Sequence, residues 1–167
     1  MIRLIEGTII GRDDDRLVYV DHTPVSLEKS LRVRRMSPTG FAWGYEGSGP
    51  AQLALAILLQ TTGDEWIAER YFQDFKRAFI ARQPVNGDFA INVDIDAWLA
   101  ENGLKIMTRQ EIDEAIYERI RKGFGVEHAS AVPYWYQGPD MPADQAEGVI
   151  DDCVADYAAL KVEEDSE

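Results

Sequence analysis

The sequence predicts an α+β fold, a small N-terminal antiparallel sheet packed on central helices and followed by a helical, acidic C-terminal part. Three observations carry this. Ile2–Ile10 and Leu17–Val20 are rich in Ile, Val and Tyr and flank the turn-like GRDDDR, the pattern of a β-hairpin. From Pro50 onward, Leu53, Leu55, Ala56, Ile57, Leu58 and Leu59 surround a helix instead of striping it, so that helix is expected to be buried on most sides. The acidic residues gather in the last third. Residues 1–105 therefore read as an α+β core, and residues 106–167 as a helical acidic extension packed on the same core.

After the hairpin, Leu31–Met36 sets Leu31, Val33 and Arg35 against Arg32, Arg34 and Met36 and reads as a third extended piece. Phe41–Tyr45 continues extended or turning into a glycine-rich stretch. The buried helix runs from Pro50 to near Thr61. Thr62 and Glu65 have capping-box spacing and open a helix over Glu65–Arg82, whose Trp66, Ile67, Tyr71, Phe75, Ala78 and Phe79 recur as a core stripe. Pro84, Asn86 and Gly87 break it. Phe89–Val93 forms one more strand, and Asp94 caps a short helix, Ile95–Glu101, that stops at Asn102-Gly103. Thr108 and Glu111 repeat the capping-box spacing ahead of Ile112, Ala115, Ile116 and Ile120, and Lys122-Gly123-Phe124-Gly125 ends that helix. VPYWYQGP leads to a last helix around Ala143–Leu160.

Composition bounds the rest. With 167 residues, 46% of them apolar, the chain can bury a core of its own. One cysteine, Cys153, excludes an internal disulfide, and no run approaches the ~20 apolar residues of a membrane span. A reducing, cytoplasmic setting without membrane attachment is expected. The net charge is −13 and unevenly placed: residues 109–167 hold 15 acids and 5 bases, against 15 acids and 12 bases in residues 1–108. Such a field repels nucleic acid and anionic membranes and attracts basic surfaces.

The stretch Gly44-Tyr45-Glu46-Gly47-Ser48-Gly49-Pro50 has two readings. Pro50 suits the first helical position, with Ser48 or Gly49 as cap. The N–H groups of Ala51 and Gln52 at that helix start, with Arg32, Arg34 and Arg35 upstream, form a candidate anion site made of Arg32, Arg34, Gly47, Ser48, Gly49 and Ala51. Against it, the Lys-Ser/Thr of a phosphate-binding loop is missing, the glycine spacing fits no dinucleotide fingerprint, and Glu46 repels anions. The balance favours glycines that let the backbone turn sharply, with Trp43 and Tyr45 packing around them.

From Gly40 to Ala54 the chain reads Gly-Phe-Ala-Trp-Gly-Tyr-Glu-Gly-Ser-Gly-Pro-Ala-Gln-Leu-Ala. This resembles the Gly-Phe-x-Trp-Gly-Tyr-x-Gly-Ser-Gly-Pro-Ala-Gln-Leu-Ala motif of an uncharacterised family of short proteins of bacteria, phages and other mobile elements. The resemblance covers about residues 1–105, with Glu46 where glycine is common. It implies no assigned activity and points to a phage or mobile-element origin.

Catalytic patterns are absent. His22 and His128 have no close partners in sequence, Cys153 has no neighbouring histidine and lies on the apolar side of the last helix, and Asp13-Asp14-Asp15 lacks the spaced ligands of a calcium loop. No catalytic residue, metal or cofactor is expected. The acidic face is the strongest deviation: residues 140–167 contain ten acids and one base, Lys161. Asp144, Glu147, Asp151, Asp152 and Asp156 stand on the helix opposite Val149, Ile150, Cys153, Val154 and Tyr157. Carboxylates one turn apart repel, so folding gains nothing from them. They are expected to meet a basic protein, one that handles nucleic acid in the host, such as a CRISPR or restriction complex inhibited by a counter-defence protein. Direct nucleic-acid binding is not expected. Tyr134, Trp135 and Tyr136 are candidate interface aromatics. The competing expectation is a small module that binds an anion or nucleotide at the glycine turn.

Overall fold

In the computed structural model, residues 1–11, 15–125 and 136–164 are described, the last five of these by their backbone alone. Strand β1 (Ile2–Ile10) pairs antiparallel with β2 (Asp15–Val20) in a register that sets Ile5 against Val20 and Gly7 against Val18. A two-residue strand β3 (Thr23–Pro24) follows through a turn in which Asp21 and His22 both take left-handed φ, 47° and 62°. The Asp21 carboxylate holds that turn by accepting the Leu4 N–H and an Arg3 guanidinium N–H, each at 2.9 Å. Strand β4 (Phe89–Asp94) lies on the other side of β1, giving the order β3-β2-β1-β4. Alternation along these strands turns Ile5, Val18, Val20, Phe89 and Val93 into the core.

Between Val25 and Met36 the chain forms a helix, α1 (Leu27–Val33), and not the extended piece that Leu31–Met36 suggested. The Ser26 hydroxyl caps it by accepting the Lys29 N–H, Glu28 pairs with Arg32 one turn on, and Ser30 is fully buried. The cap and the ion pair favour a helix where the alternation of Leu and Val with Arg fits either period.

Helix α2 (Ser48–Thr62) buries every residue from Gly49 to Leu58, as a helix surrounded by core must. It starts two residues before Pro50. Its cap is Gly47, with no side-chain bond, so neither Ser48 nor Gly49 is the cap. Helix α3 (Glu65–Ala78) is capped by Asp64, whose carboxylate accepts the Ile67 N–H; the Thr62 hydroxyl expected there bonds back to Leu58 O. Ile67, Ala68, Tyr71, Phe72 and Phe75 form its buried side. The helix ends at Ala78, short of Arg82, and a 3-10 turn over Ile80–Arg82 follows. Ile80 O there accepts the N–H of Gly44 at 3.0 Å, which ties α3's end to the glycine turn. Asp94 caps α4 (Ile95–Glu101) by accepting the Ala97 N–H. Trp98 of α4 meets Phe75 and Phe79 edge-on at 5.2 and 5.8 Å.

The chain divides into two compact units, Met1–Asn102 and Gly103–Glu167. In the second, β5 (Ile106–Met107) pairs with β6 (Met141–Pro142) and leads into α5 (Arg109–Phe124) and α6 (Ala143–Glu164). Thr108 and Glu111 form the expected capping box of α5, and Gly125, at φ 70°, closes it. Ile112, Ile116 and Ile120 of α5 pack with Ala146, Ile150 and Tyr157 of α6 as this unit's core. No helix among the described residues is long and apolar enough to cross a membrane.

Candidate functional site

The spacing of Ala146, Ile150 and Tyr157 gives α6 one buried stripe, with Cys153 and Val154 partly buried beside it. Asp144, Glu147, Asp151, Asp152 and Asp156 are placed on the rest of its circumference, and all five are exposed. Glu147, Asp151, Asp152 and Asp156 form two rows. Glu147 and Asp151, one turn apart, lie toward α5, where the Arg119 guanidinium donates to both. The hydrogen bond to Glu147, and then the charges of both carboxylates, push Arg119 above its ordinary range. Asp152 and Asp156 form the second row and have no cationic partner among the described residues. Their field reaches inward: burial first, then the charges of Asp156, Asp152 and Asp113, push the Cys153 thiol up and keep it protonated.

Arg119 neutralises part of a face whose carboxylates were expected to stand unpaired. The trio still carries a net negative charge, and Glu147 and Asp151 remain 59% and 67% exposed while paired. The other basic residues of α5 are engaged locally, Arg121 and Lys122 with Glu118 and Arg109 with Gln137.

Of the three aromatics proposed as an interface, Tyr134 and Trp135 lie outside the described residues, as do His128, Asp13 and Asp14. Tyr136 is half-buried. Its N–H donates to Asp113 at 2.7 Å and its hydroxyl to Pro139 O at 2.9 Å, so both of its polar ends serve the loop that enters β6.

The glycine turn of the first unit is a packing device. Trp43 is fully buried, stacks edge-on against Phe89 at 5.0 Å and donates its indole N–H to Gly87 O. Gly44, at φ 85°, lies so close to Gln83 and Val85 that a Cβ would come within 2.6 Å of their backbone. A Cβ on Gly49 would sit 2.7 Å from that of Ala42, and one on Gly47 would strike the Tyr45 ring. The anion-site residues are not assembled. Ala51 N–H, expected to be free, donates to Gly47 O at 3.1 Å because the helix begins at Ser48. Arg32 pairs with Glu28, and the Arg34 guanidinium lies 5.5 Å from the Phe72 ring centroid. Gly49 and Ala51 are buried, Ser48 is exposed, and Glu46 beside them carries negative charge.

Sequence reasoning passed over Gln52. It is fully buried inside the motif, its Oε1 accepts the N–H groups of Met36 and Ser37, and its Nε2 donates to Ser30 Oγ and Arg34 O. One amide thus fastens α1 and the following loop to α2. The signal was available, since a polar residue on a helix buried all round requires partners.

Residues 9–101 match the model of a family of unknown function, DUF6166. The chain belongs to that family. Comparison with curated proteins and with solved structures gives no match. The DUF6166 match takes in the whole glycine motif and most of the first unit, so the packing of Trp43, Gly44, Gly49 and Gln52 belongs to the family part of the chain. The acidic α6 lies beyond it.

Proposed function

We propose that this DUF6166 protein is a non-enzymatic binding protein whose acidic α6 docks on a basic surface of a protein that handles nucleic acid. The supporting observation is the asymmetry of α6. One side is fixed by Ile150 and Tyr157, and the other presents Asp152 and Asp156 with no cation beside them among the described residues. Rows of carboxylates a turn apart approach the charge density of a phosphate backbone, and they bring such a partner by steering as well as by contact. The resemblance of residues 40–54 to proteins of phages and mobile elements adds a setting. The partner there is a host defence complex of the CRISPR or restriction kind, and the protein is its inhibitor in the bacterial cytoplasm.

The test is affinity capture from bacterial lysate with the whole chain and with a variant in which Asp151, Asp152 and Asp156 are all Asn. The native chain retains a basic nucleic-acid-binding protein at low salt and releases it as salt rises, and the variant retains much less. Retention that ignores both salt and the substitutions overturns the reading.

A further inference from the structure

Arg16 lies on β2 with the parity of Val18 and Val20, and its side chain turns toward the interior. Its guanidinium carbon sits 4.6 Å from the ring centroid of the fully buried Trp43. Nη2 donates to Val85 O at 3.1 Å. Nη1 is buried and makes no hydrogen bond, the one buried side-chain nitrogen or oxygen so placed among the described residues. A charged donor left without an acceptor is costly, and stacking on an aromatic ring offsets only part of that cost.

Arg16 also lines a cavity of about 510 Å³ with Ile9, Asn86, Gly87 and Asp88. The walls of this cavity are held in place. Asp88 Oδ1 accepts the Ile9 N–H at 2.8 Å, and Gly87 O accepts the Trp43 indole N–H at 3.0 Å. The cavity therefore offers a guanidinium and a carboxylate that are each anchored and do not pair with one another. A simple anion meets the repulsion of Asp88, and a simple cation meets that of Arg16. A molecule carrying both charges a few bonds apart satisfies both, and a volume of this order suits a small ligand.

We propose that this cavity binds a small zwitterion of the amino-acid class, its carboxylate on Arg16 and its ammonium on Asp88. Asn86 supplies a further amide at the rim. The site is independent of the acidic face of α6, and it lies at different residues from the glycine turn. The stacking on Trp43 fixes the guanidinium before the ligand arrives, which lowers the cost of ordering it.

The test is an NMR titration of the whole 15N-labelled chain with the free L-amino acids. The N-acetyl forms, which lack the ammonium, and the amide forms, which lack the carboxylate, serve as single-charge counterparts. Saturable shifts are expected at the Gly87 and Asp88 amides and the Trp43 indole N–H for at least one amino acid. Both of its single-charge forms bind about tenfold more weakly or worse. Asp88→Asn keeps the oxygen that accepts from Ile9 and abolishes the preference for the ammonium; Arg16→Gln abolishes the response altogether. Absence of saturable shifts with every amino acid at millimolar concentration overturns the proposal, as does an N-acetyl form that binds as well as its parent. Both of these outcomes are measured on the unsubstituted chain, so neither depends on how the variants fold.

Discussion

Lys76 Nζ lies 2.6 Å from Glu46 Oε2, and the two differ sharply in exposure: the lysine side chain is 9% exposed, the glutamate 58%. The ammonium at the end of α3 is thus held under the turn by a carboxylate that reaches it from water. Removing the carboxylate leaves a buried charge without compensation, while removing the charge leaves an exposed acid that water solvates. Solvent at Glu46 screens part of the attraction, so Glu46→Gln should cost about 1–2 kcal/mol, less than for a fully buried pair. Lys76→Met should lie within about 1 kcal/mol of the native chain in either direction. Urea unfolding followed by tryptophan fluorescence measures both, and equal losses would contradict the asymmetry.

Gln52 predicts a larger effect. Gln52→Leu has similar bulk and strands the Met36 and Ser37 N–H groups, the Ser30 hydroxyl and the Arg34 carbonyl together. A loss of about 2–4 kcal/mol is expected. Because the stranded groups belong to α1 and the loop after it, amide exchange should quicken first at Met36 and Ser37.

Gly44 and Gly103 share a positive φ, 85° and 95°, yet they differ in surroundings, since a Cβ on Gly103 meets nothing within 4 Å. Gly103→Ala should therefore cost about 1 kcal/mol, the backbone term alone. Gly44→Ala adds a collision with the backbone of Gln83 and Val85, and a loss of about 3 kcal/mol or more is expected. Paired thermal melts separate the two terms.

What the sequence made legible was local. The hairpin, β4, the cap of α4 and the capping box of α5 each rest on neighbours within a turn or on one period, and they appear as read, except that β2 starts two residues before Leu17 and β4 runs one residue further, to Asp94. The Leu31–Met36 segment failed because Leu and Val alternating with Arg suits a strand as well as a helix, and the deciding cap, Ser26, lies before it. The start of α2 failed by two residues because Pro50 marks the first turn and not its first position. At the candidate site the carboxylates were visible from composition. Arg119 was not, because it reaches Glu147 and Asp151 across 28 and 32 residues of chain. Arg16 was readable from the parity of Val18 and Val20 and was hidden by its place in a charged turn.

Acid should weaken both units through identifiable carboxylates. The Leu4 N–H first, then Arg3, hold Asp21 below its ordinary value of 3.8, and the Thr108 N–H and hydroxyl do the same for Glu111. A carboxyl lowered in the folded state stabilises it above the unfolded value, and that stability disappears as pH falls through the folded one. Stability should thus decline below about pH 4. Asp21→Asn and Glu111→Gln should each be less stable than the native chain at neutral pH and should converge on it in acid. Chemical denaturation at a series of pH values gives the curves, and parallel curves would show that these groups do not drive the decline.

Substituting Arg119 distinguishes a face that serves stability alone from one that also serves a partner. Its two pairs are exposed, so Arg119→Gln should cost about 1 kcal/mol in all, with Glu147 and Asp151 then repelling each other along α6. The same substitution removes the cation that pairs with those carboxylates and leaves the helix more negative toward any approaching surface. If the face meets a basic partner, the variant should be slightly less stable and should hold that partner more tightly at low salt, the gain vanishing as salt rises. If the carboxylates serve only to bind α6 to α5, stability falls and capture does not improve. Melting temperature and salt-dependent retention, measured on one preparation, must move in opposite directions for the docking reading to stand.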